Sequence, residues 1–320
     1  MIMTAVFLFI LGLCSGSFVN AVVWRVHKQA KSLLRSSSKS LPQGQKPKAR
    51  KTILNFAYSA EVALANRLRH SGPSYDGRAK AGQFSILTGR SQCVHCGHKL
   101  AGKDLAPLLS WLFLRGRCRY CKKAISWQYP VVELALAVVF VVSYVFWPAS
   151  LGDGGQKVLL SSWLIASVGL LALLVYDFRW MLLPNRILYP TFFVALAGRL
   201  AYIIWFSPDK IRSLLFLALS LAIASGIFFA IFLLSSGRWI GFGDVRLGLI
   251  SGVLLADPLQ ALLMIFIASI LGTIFVLPDL LSGRQKITGK LPLGPFLIIA
   301  TLIAILAGDS IIGWYKNLLY

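Results

Sequence analysis

Eight long apolar runs constrain the fold of this chain more than any other feature. They cover approximately residues 1–24, 130–149, 158–176, 188–206, 212–235, 246–256, 259–278 and 295–314. A helix needs about 17–25 apolar residues to cross a bilayer, and most of these runs approach that length. Only 14% of the residues are charged, against about 25% in an average soluble domain. The sequence therefore predicts an all-α polytopic membrane protein with about eight transmembrane helices.

The distribution of basic residues predicts the orientation of these helices. The first run has arginine after it rather than before it, which favours a retained helix over a cleaved signal peptide. The chain holds 33 Lys and Arg against 11 Asp and Glu, and much of the excess lies between Arg25 and Lys123. Basic loops stay cytoplasmic, so the loop 25–129 is expected on that side. Its positive charge also favours contact with a lipid surface. No nucleic-acid recognition motif accompanies this charge, so no nucleic-acid partner is expected.

These observations divide the chain into three parts. Residues 1–24 form the first transmembrane helix, residues 25–129 form a basic cytoplasmic domain, and residues 130–320 form the transmembrane core. Within the cytoplasmic domain, residues 28–91 are rich in Ser, Gly, Gln and Pro and are expected to be flexible. An amphipathic segment at 55–70 could lie on lipid or pack as a short helix. Residues 92–123 have a more compact composition.

Two C-x-x-C pairs, Cys93/Cys96 and Cys118/Cys121, lie in that compact segment with 21 residues between them. Each pair predicts a tight turn that points two thiolates at one position, and two such turns complete the S4 site that zinc accepts. Disulfides are the alternative, but a cytoplasmic loop is a reducing environment. A closed S4 site has no open position for substrate, so the predicted zinc is structural and stabilises a small module.

Three acids lie at the edges of apolar runs: Glu133, Asp177 and Asp244. Asp177 ends the third run, and Asp244 opens the short sixth run in the motif GFGDVRLG, so the alternation places both at the cytoplasmic ends of their helices. Placing an ionisable group inside a membrane costs free energy, so such residues are first considered as candidates for function. Two neighbouring carboxylates can share one proton, and such a pair can hydrolyse an amide without a metal.

The residues around Asp244 allow a second interpretation of the motif. Gly241 and Gly243 would let the backbone approach a carboxylate or a substrate closely, which supports a catalytic site. Alternatively, each aspartate caps its helix or pairs with Arg179 or Arg246.

Other chemistries have less support. The histidines (His27, His70, His95 and His98) all fall in the basic loop, away from the apolar helices, and no phosphate-binding motif is present. A non-enzymatic scaffold that docks an assembly through its zinc module and a transporter with proton-relaying carboxylates both remain open. The zinc module disfavours the transporter, and the paired aspartates disfavour the scaffold.

Several motifs together resemble the type IV prepilin peptidases, the GxGD aspartyl proteases of membranes. The matching blocks, in chain order, are LGLCSGSFVNAVVWR (11–25), LLSWLFLRGRCRYC with the cysteine pairs, AISWQYPVVEL (124–134), YDFRWMLLPN, GFGDVRLG and LPLGPF (291–296). The resemblance covers nearly the whole chain apart from residues 28–91.

The resemblance implies a plasma-membrane endopeptidase that removes a short basic leader from prepilin-like or pseudopilin precursors at the cytoplasmic face. It implies Asp177 and Asp244 as the catalytic dyad, residues 130–320 as an aspartyl protease core, and the four cysteines as zinc ligands. It also implies N-methylation of the new amino terminus from S-adenosylmethionine. A related GxGD protease without methyltransferase activity is the runner-up.

Some positions depart from the family pattern. Arg246 stands where Lys is common, Asn185 stands where the first motif often ends in Asp, and residues 28–91 have no clear counterpart. That segment lies in the region associated with methylation, and the motifs assign no S-adenosylmethionine site. Glu133 could contribute there, or it could orient a nearby arginine or backbone amide.

Overall fold

The computed structural model describes residues 2–40, 91–281 and 292–319. Eight long helices dominate these ranges: α1 (Ile2–Ser40), α2 (Gln128–Val145), α3 (Gly154–Trp180), α4 (Asn185–Trp205), α5 (Lys210–Leu234), α6 (Phe242–Leu255), α7 (Pro258–Leu281) and α8 (Gly294–Leu319). Seven of them are long and apolar enough to cross a membrane. The predicted all-α, multi-pass architecture is confirmed, and the exception among the eight helices is α6.

The first helix is longer than its apolar run. The run ends at Trp24, but α1 continues as helix through residues 25–40, part of which was expected to be a flexible loop. The remainder of that predicted segment, including the amphipathic piece at 55–70, lies outside the described residues.

Two glycines one turn apart let α1 approach α2 closely. A Cβ on Gly12 would lie 2.5 Å from the Cα of Ala137, and a Cβ on Gly16 would lie 2.5 Å from the Cα of Glu133. Small residues at this spacing allow membrane helices to bring their backbones together. The side-chain amide of Asn20 adds a hydrogen bond to the carbonyl of Tyr129 at 3.1 Å.

Helix α6 is enclosed by protein rather than by lipid. It has 14 residues, so it is about 21 Å long, shorter than the roughly 30 Å hydrocarbon core. Leu247, Ile250 and Val253 are fully buried. A Cβ on Gly248 would lie 2.2 Å from the carbonyl oxygen of Ala224 on α5, so glycine is required for this close packing.

The carbonyl end of α6 is closed by an arginine from another helix. Arg199 of α4 donates hydrogen bonds to the carbonyls of Val253 at 3.2 Å, Leu254, and Leu255 at 3.4 Å. Helix termini leave carbonyls without intrahelical partners, and such groups are costly inside a bilayer. Arg199 therefore explains how a helix too short to cross the membrane can end within the bundle.

Candidate active site and metal centre

Asp177 lies in the last turn of α3, and its carboxylate is buried. The helix ends at Met181, which adopts a left-handed conformation with φ of 54° and donates its backbone N–H to the Asp177 carbonyl at 2.7 Å. The Asp177 residue is 5% exposed. Among the described residues, the backbone N–H of Gly294 interacts with the Asp177 carboxylate, although no hydrogen bond of full geometry reaches its Oδ2 atom. A buried carboxylate with so few hydrogen bonds is costly, so this group is a candidate for function.

Asp244 occupies the first turn of α6, at the positive end of the helix dipole. Gly241 is the N-cap of the helix, and a Cβ on it would lie 3.6 Å from the Asp244 Oδ2 atom. A Cβ on Gly243 would lie 3.1 Å from the Leu183 side chain. Gly241 thus has ordinary spacing from the carboxylate of its own helix, and Gly243 packs tightly against the α3–α4 connection, so a close approach of either glycine to a substrate stays a prediction.

The start of α8 brings the two aspartates to one site. A Cβ on Gly294 would lie 2.6 Å from the Asp177 Oδ2 atom and 3.6 Å from the Leu247 side chain, one turn beyond Asp244. The two aspartates are also close enough for their charges to interact. The C-terminus of α3 and the N-termini of α6 and α8 thus converge, and Gly294 leaves room for the Asp177 carboxylate. This role of Gly294 was missed by the sequence reasoning, although its motif LPLGPF had been singled out.

The nearby arginines have other partners. Arg246 donates to the Asn185 side-chain oxygen and lies over the Phe242 ring at 4.6 Å. Arg179 lies over the Trp180 ring at 5.7 Å. Within the described ranges, the salt bridge between Arg119 and Asp104 involves neither of these arginines. Neither arginine therefore forms an ion pair with a described aspartate, whereas the Asp244 carboxylate interacts with the backbone N–H of its N-cap Gly241, as the helix-capping alternative predicts.

The four predicted cysteines come together between α1 and α2. Their sulfur atoms all lie within 4.8 Å of one another, and the Cys93 and Cys121 sulfurs are 3.9 Å apart. Tetrahedral zinc with Zn–S bonds of about 2.3 Å needs sulfurs about 3.8 Å apart. All four are free thiols, not disulfides. The cluster could therefore hold a metal ion, and its donor set fits zinc.

The two C-x-x-C turns of this cluster have the same backbone conformation. Cys93 and Cys118 each donate their N–H to the carbonyl five residues later, at 2.9 Å in both turns. Gly97 and Lys122 take the corresponding positive-φ positions, at 71° and 59°. Burial would raise the pKa of the Cys118 thiol, but the backbone N–H groups of Cys121 and Tyr120 lower it to about 7.

Comparisons with known proteins follow the same division of the chain. Residues 10–147 match the Bacterial Peptidase A24 N-terminal domain, and residues 164–277 match the Type IV leader peptidase family. The first range contains the cysteine cluster, and the second contains both aspartates. The chain belongs to the type IV leader peptidase family. It is therefore an enzyme of a peptidase family.

Three relatives of this leader peptidase are each named "Prepilin leader peptidase/N-methyltransferase". The Aeromonas salmonicida protein is 33% identical over 73% of this chain and 77% of its own length. The Bacillus subtilis protein is 31% identical over 72% of this chain and 87% of its own length. The Pseudomonas aeruginosa protein is 29% identical over 96% of this chain and 91% of its own length. No solved structure matches the chain significantly.

Glu133 of this leader peptidase lies near the start of α2. Its Oε2 atom accepts a hydrogen bond from the backbone N–H of Leu108 at 2.8 Å. The carboxylate therefore joins the cysteine module to the membrane helix, which agrees with the orienting role that was left open for it.

His27 is not in a loop away from the apolar helices, so that expectation is wrong. Because α1 continues past its apolar run, the His27 ring stacks on Trp180 at the end of α3, with centroids 4.1 Å apart and an interplanar angle of 14°. Trp180 also contacts Tyr176, with centroids 4.5 Å apart. This aromatic cluster supports the last turn of α3, which carries Asp177.

Proposed function

We propose that this leader peptidase hydrolyses a peptide bond with Asp177 and Asp244 as its catalytic dyad. The observation that carries the proposal is the meeting of three helix ends around the buried Asp177 carboxylate, beside the backbone of Gly294. The charge interaction with Asp244 and the different partners of the neighbouring arginines support it.

The proposed chemistry needs one proton shared between the two carboxylates, because like charges at short range do not ionise together. The ionised aspartate takes a proton from a water molecule, whose oxygen attacks the peptide carbonyl carbon. The protonated aspartate gives its proton to the carbonyl oxygen. When the tetrahedral intermediate collapses, the C–N bond breaks and the aspartate that took the water proton gives it to the departing amine. The other aspartate takes back a proton from a hydroxyl of the intermediate, which forms the new carboxyl group and restores the shared proton.

The proposed substrates are prepilin or pseudopilin precursors, and the prepilin in the names of the relatives supports this. The apolar stem of such a substrate can lie beside the membrane helices, with its scissile bond at the helix ends where Asp177 and Asp244 meet. The charge bias of the loops supports a plasma-membrane location with this site and the cysteine module on the cytoplasmic side. A basic leader would be repelled by the basic loop, so the dyad itself is the acidic feature proposed to receive it.

The relatives' names also include an N-methyltransferase, and we propose the same second activity here. It needs a methyl donor such as S-adenosylmethionine. The described contacts assign no site to that donor, and a contribution from Glu133, whose Oε2 atom accepts the Leu108 amide, stays a prediction. The proposed zinc is structural: four cysteines fill its coordination shell, so it would hold the two turns together and leave the hydrolysis to the aspartates.

The test is incubation of the purified protein with a prepilin-like peptide, followed by mass spectrometry. Asp177→Asn and Asp244→Asn should each abolish cleavage, because neither variant can shuttle the proton. Asp209→Asn is the matched control: Asp209 caps α5 by accepting from the Arg212 N–H, and Asn caps equally well. Normal cleavage by either dyad variant would contradict the proposed dyad and favour the non-enzymatic scaffold.

The same spectra separate the two activities. A cleaved product that carries a methyl group only when S-adenosylmethionine is present would support the bifunctional enzyme. A cleaved but unmethylated product under the same conditions would favour the related protease without methyltransferase activity.

A further inference from the structure

An apolar patch lies on the exposed side of the cysteine module. The one-turn helix Leu109–Phe113 exposes Leu109, Leu112 and Phe113 at 56%, 65% and 80%. Their spacing places them on one helix face. Trp127 is 70% exposed and packs against Trp111 of the same helix, with ring centroids 4.2 Å apart. Leu109, Leu112, Phe113 and Trp127 are called the module patch below.

The position of the module patch is set by α2. Trp127 is the N-cap of α2, whose 18 residues form a candidate span. At 1.5 Å per residue α2 is about 27 Å long, so it has no length to spare across a core of about 30 Å. Glu133 is five residues into α2, about 7.5 Å along its axis, and it binds the Leu108 amide. Trp127 therefore lies at the end of the span, at the bilayer interface, and the Leu108 contact holds the rest of the patch beside the first two turns of α2.

The segment that carries the patch is strongly basic. Only one acid, Asp104, lies between residues 91 and 127, and Arg119 binds it at 2.7 Å. The basic residues of this segment are Lys99, Lys103, Arg115, Arg117, Arg119, Lys122 and Lys123. Clustered Lys and Arg beside a membrane helix attract anionic headgroups. Exposed Trp and Phe are typical of the same interface.

We infer that the module patch is inserted into the headgroup region of the bilayer, with the basic residues around it bound to anionic lipid. The cysteine module is then not a freely tumbling domain but a peripheral anchor attached at two points, to α2 through Glu133 and to lipid through the patch. Lipid is the occupant because the patch lies at the depth of a membrane helix and its rim is complementary to anionic headgroups. This inference goes beyond the proposed hydrolysis and does not depend on it.

The direct test places the photo-crosslinker p-benzoylphenylalanine at Phe113 of the full-length chain. The protein is reconstituted in nanodiscs of phosphatidylethanolamine and phosphatidylglycerol, illuminated, and analysed by mass spectrometry. Lipid adducts are expected at a yield comparable to the same substitution at Phe7, which is 63% exposed on the apolar part of α1. His95, exposed in the first cysteine turn, is the comparison position and should give few. Equal lipid labelling at His95, adducts to a second copy or to an added prepilin-like protein, or no lipid adduct at 113 while Phe7 reacts would each overturn the inference.

A second measurement needs no substitution. Amide hydrogen exchange of residues 109–113 in the unmodified chain should be about fivefold slower in nanodiscs that contain phosphatidylglycerol than in pure phosphatidylcholine, since anionic lipid strengthens the anchoring. Equal exchange rates in the two compositions would overturn the inference even if the crosslinked variant failed to fold.

Discussion

Arg199→Met should weaken both the fold and the proposed active site, although Arg199 lies at the opposite end of α6 from Asp244. The guanidinium donates to three carbonyls at the end of that helix. A hydrogen bond to a charged group contributes about 1.5–3 kcal/mol. Counting the bonds to Val253 and Leu254 and leaving out the long one to Leu255, the two together would stabilise the fold by about 3–6 kcal/mol. Arg199 and the last residues of α6 line a cavity of ≈ 200 Å³, so water can reach the freed carbonyls, and we expect a loss of about 3 kcal/mol.

The effect on catalysis follows from the same contact. Without Arg199, the end of α6 is free to fray or slide, and a displacement of about 1 Å at Asp244 would lower the cleavage rate by roughly 100-fold. Thermal unfolding in nanodiscs and cleavage of a prepilin-like peptide measure the two effects. Arg212→Met, which removes an exposed arginine at the start of α5, is the matched control and should change neither. An Arg199→Met protein with unchanged unfolding temperature and unchanged cleavage would refute the reasoning.

The remaining predictions concern three sites: Gly294, Gly248 and the cysteine cluster. Gly294→Ala should lower cleavage by roughly 100-fold at nearly unchanged unfolding temperature, because its Cβ would lie 2.6 Å from the Asp177 oxygen; normal turnover by this variant would contradict the proposed site. Gly248→Ala should destabilise the bundle, because its Cβ would lie 2.2 Å from a backbone carbonyl, whereas Gly226→Ala meets nothing within 4 Å and should be neutral or stabilising in the same melting experiment. Cys118→Ser should remove the bound zinc measured by elemental mass spectrometry, while Cys14→Ser, outside the cluster, should keep about one zinc per chain; retention of zinc by Cys118→Ser would argue against the S4 site.

Much of the fold could be predicted because membrane helices leave a direct signal in apolar runs. The cysteine cluster could be predicted for a similar reason: two short turns with fixed spacing determine where four thiols point. Asp177 and Asp244 were identified as acids at the edges of apolar runs, and the structure brings their helix ends together.

The missed features depend on contacts between distant segments. Nothing local shows that Gly294 faces Asp177, that Arg199 closes the end of α6, or that His27 stacks on Trp180. The length of α1 was underestimated because hydropathy marks where lipid contact ends, not where helical hydrogen bonding ends. The alternation of charge along the loops carries no information on which helix ends meet.

The enclosure of α6 has a consequence for how the enzyme responds to its membrane. Helix α3 is 27 residues long and spans the bilayer, so a change in lipid thickness would tilt or shift it. Helix α6 is enclosed by its neighbouring helices, and its length is not matched to the thickness of the lipid. Thicker or thinner membranes would therefore displace one aspartate relative to the other, and turnover would be tuned by acyl-chain length.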